Sequence, residues 1–210
     1  MDDHLTFTIV GKERYGDVVD FVYKDFFSRE TLAQCIGLDL KPISKFNLDI
    51  NNWLSHGVSL VAIDPRTDQI VGICVNYIMA DDDEPIETES RKLERIFKFL
   101  GHLEEDYNVH ERLGVQRGME LLFLGVKEEY CGRGIARKLA EKAIELARSQ
   151  GIEFIVTNPT AAATCHLFHS LGFETIREMK LIDYFVKGQP GFPYATGNEI
   201  TRFCVKKLWL

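Results

Sequence analysis

Cys131-Gly132-Arg133-Gly134-Ile135-Ala136 sets two glycines and an arginine directly before a run with helical apolar spacing. Glycines at such a junction let backbone N–H groups converge on a helix N-terminus, where the aligned peptide dipoles favour an anion. A pyrophosphate suits that place, with Arg133 and Arg137 or Lys138 as counter-charges. An ordinary glycine turn is the alternative, and the six residues alone leave both open. Two other phosphate loops do not fit. A dinucleotide site wants a third small residue and an acid ending the next strand, but Arg137 holds the third position and Glu153 precedes its strand. The P-loop pattern GxxxxGK followed by Ser or Thr is absent. His166 and His169 have a spacing that can ligate metal, but no third ligand accompanies them. They read as surface or core histidines, and no metal is expected. Cys35, Cys74, Cys131, Cys165 and Cys204 are odd in number and include no CxxC, so neither a zinc site nor a redox dithiol is indicated. They read as free thiols of a cytoplasmic protein.

The elements that must hold the glycine turn are a strand at 120–126 and a helix at 135–150. The helix carries Ile135, Leu139, Ala140, Ala143, Ile144 and Ala147 at spacings of three and four, and Gly151 stops it. A strand at 154–157, a short helix at 161–171 and strands at 174–183 and 201–207 follow. Ahead of the turn come a strand at 6–10, a helix at 15–27, a helical stretch near 48–56, a hairpin at 59–64 and 70–79, and a helix at 88–107. Strands and helices in this order give an α/β fold, a mixed sheet with helices on both faces. The 210 residues suggest one domain, 1–210, with ample apolar content (45%) for a core. A net charge of −7 excludes the basic stripe of a nucleic-acid binder and suits a cationic substrate. The acidic Asp81-Asp82-Asp83-Glu84 loop would favour polycations if it reached a pocket mouth. No apolar run approaches the roughly 20 residues of a membrane span. The charged Met-Asp-Asp-His start lacks a signal-peptide pattern. No membrane partner is expected.

The turn resembles the pyrophosphate loop Q/R-x-x-G-x-G/A of the GNAT superfamily of acyl-CoA-dependent N-acetyltransferases, with Cys131 in place of the first residue. His166-Leu167-Phe168-His169-Ser170-Leu171-Gly172-Phe173, 35 residues on, is similar to that family's "LYxKLGF" segment. The resemblance implies a mostly antiparallel seven-stranded sheet with a splay between strands four and five. It also implies acetyl-CoA as cosubstrate, bound by Cys131, Gly132, Arg133, Gly134, Ile135 and Ala136. The exposed main chain of Leu124, Gly125 and Val126 would grip the pantetheine and the acetyl carbonyl, and a backbone N–H would stabilise the oxyanion.

Phe26-Phe27-Ser28-Arg29-Glu30-Thr31-Leu32 resembles the "FFxxEPL" segment of the insect-type arylalkylamine N-acetyltransferases, and "HLEEDYNV" at 102–109 is similar to their "HVEEQFNI". That resemblance implies a small primary amine as acceptor: a biogenic arylalkylamine, or a polyamine, histamine or other non-aryl amine. Glu30 takes the general-base role, since a primary amine with a pKa near 10 is almost wholly protonated at neutral pH. Two hydroxyls near the last helix fall on Thr160 and Thr164, although Thr160 serves equally as an N-cap after Pro159. The superfamily's tyrosine acid is replaced by Phe168 and the family's asparagine by Ala161, which leaves thiolate protonation to Thr164, Cys165, His166 or solvent. Phe26 and Phe27, with Tyr23 and Trp53, could wall an aromatic amine pocket, or form core. Direct attack in a ternary complex is expected, because no cysteine is placed as an acyl carrier, and the chain reads as a monomer. A non-catalytic acyl-CoA-binding module is the remaining alternative.

Overall fold

The computed structural model describes residues 4–79, 86 and 88–209; the acidic 81–84 segment lies outside them. Strand β1 (Thr6–Ile9) leads into α1 (Tyr15–Phe21), whose helical path widens over Val22–Phe26. There the Phe27 N–H reaches the carbonyl of Val22, five residues back, at 2.8 Å. The helix expected at 15–27 is present but wound looser in its last turn, a feature that gathers at functional sites. Then come α2 (Thr31–Ile36), α3 (Ser44–Ser55), β2 (Leu60–Asp64), β3 (Gln69–Ile78), α4 (Arg91–Glu104), α5 (Val109–Leu113) and β4 (Gly118–Val126). The chain closes with α6 (Ile135–Ser149), β5 (Phe154–Thr157), α7 (Ala162–Ser170), β6 (Glu174–Lys180), β7 (Phe185–Val186), β8 (Gln189–Pro190) and β9 (Ile200–Lys207).

The differences from expectation sit in short elements. Helices α2 and α5 are six and five residues long, too short to show an apolar period. Each is built by its caps: Glu30 and left-handed Gly37 for α2, Asn108 and left-handed Gly114 for α5. The helix expected over 88–107 stops at Glu104, and the strand expected over 174–183 stops at Lys180. The two-residue strands β7 and β8 pair as a hairpin no pattern announced.

Among the described residues seven strands form one sheet in the order β1-β2-β3-β4-β5-β9-β6. All pairs are antiparallel except β4 and β5. That parallel pair joins only Gly118–Leu121 to Phe154–Thr157. Beyond Leu121 the strand β4 continues to Val126 against β3 alone, while the chain leaves β5 at Asn158. The two strands part there, and the backbone of residues 122–126 is left with an open edge. Helices α1 to α5 cover one face of the sheet, over a core that includes Phe46, Phe99 and Phe154. Helices α6 and α7 cover the other through Leu139, Ala143 and Phe168. Among the described residues no helix is long and apolar enough to cross a membrane.

Candidate active site

The glycine turn is held from below. Tyr130 Oη donates to the buried Asp64 carboxylate at 2.9 Å, and Arg66 pairs with the same carboxylate at 2.8 Å. These bonds hold the Asp64 carboxyl well below the usual carboxylate range. Two residues later the chain turns through Gly132 (φ +75°) and Gly134 (φ +79°), a left-handed path that suits glycine. Gly134 is the N-cap of α6 and has no side chain to satisfy the first-turn amides. A methyl group at Gly134 would touch nothing, so only the backbone resists it. Gly134→Ala is expected to cost about 1–2 kcal/mol, read as a lower urea midpoint with an unchanged slope.

In front of the turn lies a cleft of about 300 Å³. Leu124, Gly125 and Val126 form one wall where β5 has departed, and Cys131, Gly132, Gly134, Ile135 and Ala136 form another. Of the residues expected at this loop, only Arg133 turns away. It donates to the Glu129 carbonyl at 2.8 Å and lies 4.8 Å over the Tyr130 ring. The other two expected counter-charges are also engaged elsewhere. Arg137 donates to Ser170 Oγ at 2.7 Å, and Lys138 sits 4.7 Å over the Phe7 ring.

Glu30 stands between this cleft and a second, smaller cavity of about 60 Å³, lining both. It is the N-cap of α2, its Oε2 accepting the Ala33 N–H at 2.7 Å. Its Oε1 accepts the hydroxyl of Thr160 at 2.7 Å. Burial pushes the Glu30 carboxyl above the usual carboxylate range, against the pull of backbone N–H groups and of Thr160. A carboxylate at a helix end is usually fully solvated; this one is part-buried between the two cavities. Thr160 does not cap the following helix, because Ala161 takes that position without a side-chain bond. Its hydroxyl goes to Glu30 instead. Thr164, one turn into α7, lines the same cleft.

The smaller cavity is apolar and aromatic, with Phe26, Phe27, Phe97 and Phe123 in its wall and Thr160 shared with the cleft. The ring of Phe26 can lie against β4 because Gly125 has no side chain: a Cβ there would meet it at 3.2 Å. Tyr23 and Trp53 do not wall the cavity; they lie in the core behind it. Tyr23 Oη accepts the Ile43 N–H at 2.9 Å, and Trp53 stacks on Tyr77 with ring centroids 5.9 Å apart. Two further polar side chains reach the wall: Glu120, which accepts from Tyr77 Oη at 2.8 Å, and Asn158, whose amide donates to Glu104 at 2.7 Å. Neither side chain carries a signal in the sequence that marks it as part of a site.

Phe168 points into the core of the opposite face, 5.0 Å from Phe173, and lines neither cavity. His166 and His169 are exposed, and His169 Nε2 bonds Thr175 Oγ1 at 2.7 Å. Among the described residues no three His, Cys, Asp or Glu side chains gather as metal ligands. Arg29 was also unforeseen: it lines the cleft beside Glu30 and reaches across it to the carbonyl of Val126.

Residues 41–173 match the model of the acetyltransferase (GNAT) family. The whole chain is similar in structure to arylalkylamine N-acetyltransferase 2 from Aedes aegypti, with a TM-score of 0.89, 25% identity, and 99% of this chain and 100% of that one covered. It is similar to mosquito arylalkylamine N-acetyltransferase-like 5b at TM-score 0.87 and 20% identity, over 97% and 100% of the two chains. A Drosophila melanogaster polyamine N-acetyltransferase, which forms N-acetylagmatine, is similar at TM-score 0.82 and 17% identity, over 97% and 100%.

Proposed function

The chain belongs to the GNAT acetyltransferase family, and on that premise we propose that it moves the acetyl group of acetyl-CoA to the primary amine of a biogenic arylalkylamine, by direct attack in a ternary complex. The observation that carries this reading is the meeting of two cavities at one part-buried carboxylate. The donor takes the cleft under the glycine turn, its pantetheine along Leu124, Gly125 and Val126. The acceptor takes the aromatic cavity, with Phe26 and Phe27 against its ring and its amine at Glu30. The similar mosquito arylalkylamine enzyme supports that acceptor class.

The steps follow from the groups present. The acceptor enters as an ammonium ion, attracted by the Glu30 carboxylate. Glu30 takes its proton, directly or through a water, and the freed amine attacks the thioester carbonyl. Fixing amine and thioester in one geometry removes much of the entropic barrier. The tetrahedral oxyanion is stabilised by a backbone N–H on the open edge of β4. Its collapse releases the CoA thiolate, and the proton that the nitrogen sheds on becoming an amide reaches the sulfur through the Thr164 hydroxyl as a relay or through solvent; a thiol of pKa near 8.5 needs little help. Thr160 holds Glu30 in place through its hydroxyl. Because that bond favours the ionised carboxylate, Thr160→Val is expected to move the acid limb of the pH–rate profile to higher pH. It should also lower kcat/KM at neutral pH by about tenfold, the worth of one hydrogen bond to a charge.

A second reading, polyamine acetylation, is favoured by Glu120. With Glu30 it puts two carboxylates on one cavity, a pattern that suits an acceptor with two cationic ends. A monomer built as one catalytic domain is part of the same proposal. Buried, unpaired Cys35, Cys74, Cys165 and Cys204 fit a cytoplasmic setting. The test is thiol release from acetyl-CoA across dopamine, octopamine, tyramine, tryptamine, serotonin, histamine and spermidine. Turnover led by the aryl ethylamines sustains the reading; turnover led by spermidine or histamine replaces the acceptor class. CoA binding without turnover on any amine makes the chain a non-catalytic acyl-CoA-binding module.

A further inference from the structure

The glycine turn offers backbone donors to an anion, yet the cations next to it in sequence face elsewhere. Arg133 is held by the Glu129 carbonyl and the Tyr130 ring, Arg137 by Ser170 and Glu141, and Lys138 by the Phe7 ring. At the turn's first position stands Cys131, a neutral side chain exposed in the cleft. Of the described residues that line the cleft, Arg29 is the one cation; Asp25 and Glu30 are its anions. Arg29 comes from the other wall, 102 positions earlier, and brings its Nη1 to 3.7 Å from Cys131 Sγ. Its Nη2 donates to the carbonyl of Val126, at the open end of β4.

We propose that Arg29 supplies from across the cleft the positive charge that Cys131 does not, and binds the diphosphate of the acyl-CoA donor. The proposal rests on the reading of the cleft as the donor site. A guanidinium presents five donors in a planar fork, and phosphate oxygens take two of them side by side. The anion lies between that fork and the first-turn amides of α6. Its arrival draws Arg29 off Val126 and frees a carbonyl for an amide N–H of the pantetheine. The turn that carries Arg29 also carries Glu30, both anchored by N–H bonds to the Phe26 carbonyl at 3.0 Å. One short segment thereby holds the donor's counter-charge and the acceptor's base.

The experiment compares wild type with Arg29→Ala, Arg29→Lys and the double variant Arg29→Ala/Cys131→Arg. Calorimetry gives the Kd for CoA, and steady-state rates compare acetyl-CoA with S-acetyl-pantetheine, which lacks the diphosphate. Arg29→Ala is expected to raise the Kd for CoA about tenfold or more, the worth of a charge-assisted bond. The loss in kcat/KM should be far smaller with S-acetyl-pantetheine, which makes no diphosphate contact and finds the Val126 carbonyl already free. Arg29→Lys keeps part of the affinity, and the double variant regains part by returning a guanidinium to the same space. An unchanged Kd in Arg29→Ala overturns the assignment. Equal losses with both donors do the same, since a purely structural tie would not distinguish them. Should wild type itself fail to bind CoA, the reading of the cleft falls, and this assignment with it. Binding by wild type and Arg29→Ala alike removes the assignment alone.

Discussion

Glu30→Gln lowers kcat by at least about 100-fold, the usual contribution of a positioned general base, while the Kd for CoA stays at its wild-type value. The amide is nearly isosteric with the carboxylate. Its oxygen still caps α2 by accepting the Ala33 N–H, and its NH₂ donates to Thr160 Oγ1 once that hydroxyl turns round. The architecture survives and only the basic lone pair goes. The pH dependence gives an independent signature. Burial raises the folded-state pKa of Glu30, so the ionised base is lost as pH falls through a value above the ordinary carboxylate pKa. Activity is therefore present above that value and titrates away below it, and the acid limb vanishes from the residual rate of the variant. The same shift has a sign for stability. A carboxyl whose pKa rises on folding favours the fold at low pH and opposes it as pH climbs through the raised value. Glu30→Gln removes that opposition, so its Tm at pH 7 should be no lower than wild type. A fall in Tm together with lost CoA binding would show a damaged site rather than a missing base.

The parts of this site legible in the sequence are those written locally. The turn 131–136 is read from glycines beside an amphipathic helix expected over 135–150, and the structure puts that helix at Ile135–Ser149. Glu30 is read from the resemblance of residues 26–32 to the FFxxEPL segment, and the structure puts Phe26, Phe27 and Glu30 around one cavity. What could not be read depends on contacts far apart in the chain. The partner of Thr160 is Glu30, 130 positions away, so the local signal of a hydroxyl after a proline pointed equally to a helix cap. Arg29 beside Cys131 spans 102 positions, and no spacing rule connects them. Arg133 misled for the opposite reason. Its place in the turn suggested a ligand for phosphate, but an arginine beside an aromatic ring and an open carbonyl has closer partners. For Tyr23 and Trp53 the sequence leaves pocket wall and core both open, and both side chains lie in the core. An aromatic on a helix near a pocket has two faces to choose from, and composition does not say which one meets the cavity.

The last of these points carries the largest expected effect on stability. Phe46, on α3, is fully buried, and its ring packs 6.0 Å from Phe27, 5.7 Å from Phe97 and 6.4 Å from Phe123. Its other ring neighbours are Tyr23 at 6.5 Å and Trp53 at 5.8 Å. Phe46 touches none of the reacting groups, yet three of its five ring partners wall the acceptor cavity. Phe46→Ala removes an aromatic from the centre of this cluster and leaves a void that fixed neighbours on five sides cannot fill. The expected cost is about 3–5 kcal/mol. For a chain of this length each kcal/mol lowers Tm by roughly 2–4 °C, so the midpoint should fall by about 10 °C. Phe46→Leu, which keeps most of the volume, should cost less than half as much. Below the melting range the two variants also separate packing from chemistry. Slack in Phe27, Phe97 and Phe123 should raise the acceptor KM while leaving the Kd for CoA unaltered, because neither these three rings nor any residue of α3 lines the donor cleft. If acceptor KM and CoA affinity weakened in parallel, the aromatic cluster would be supporting the whole site rather than one of its two cavities.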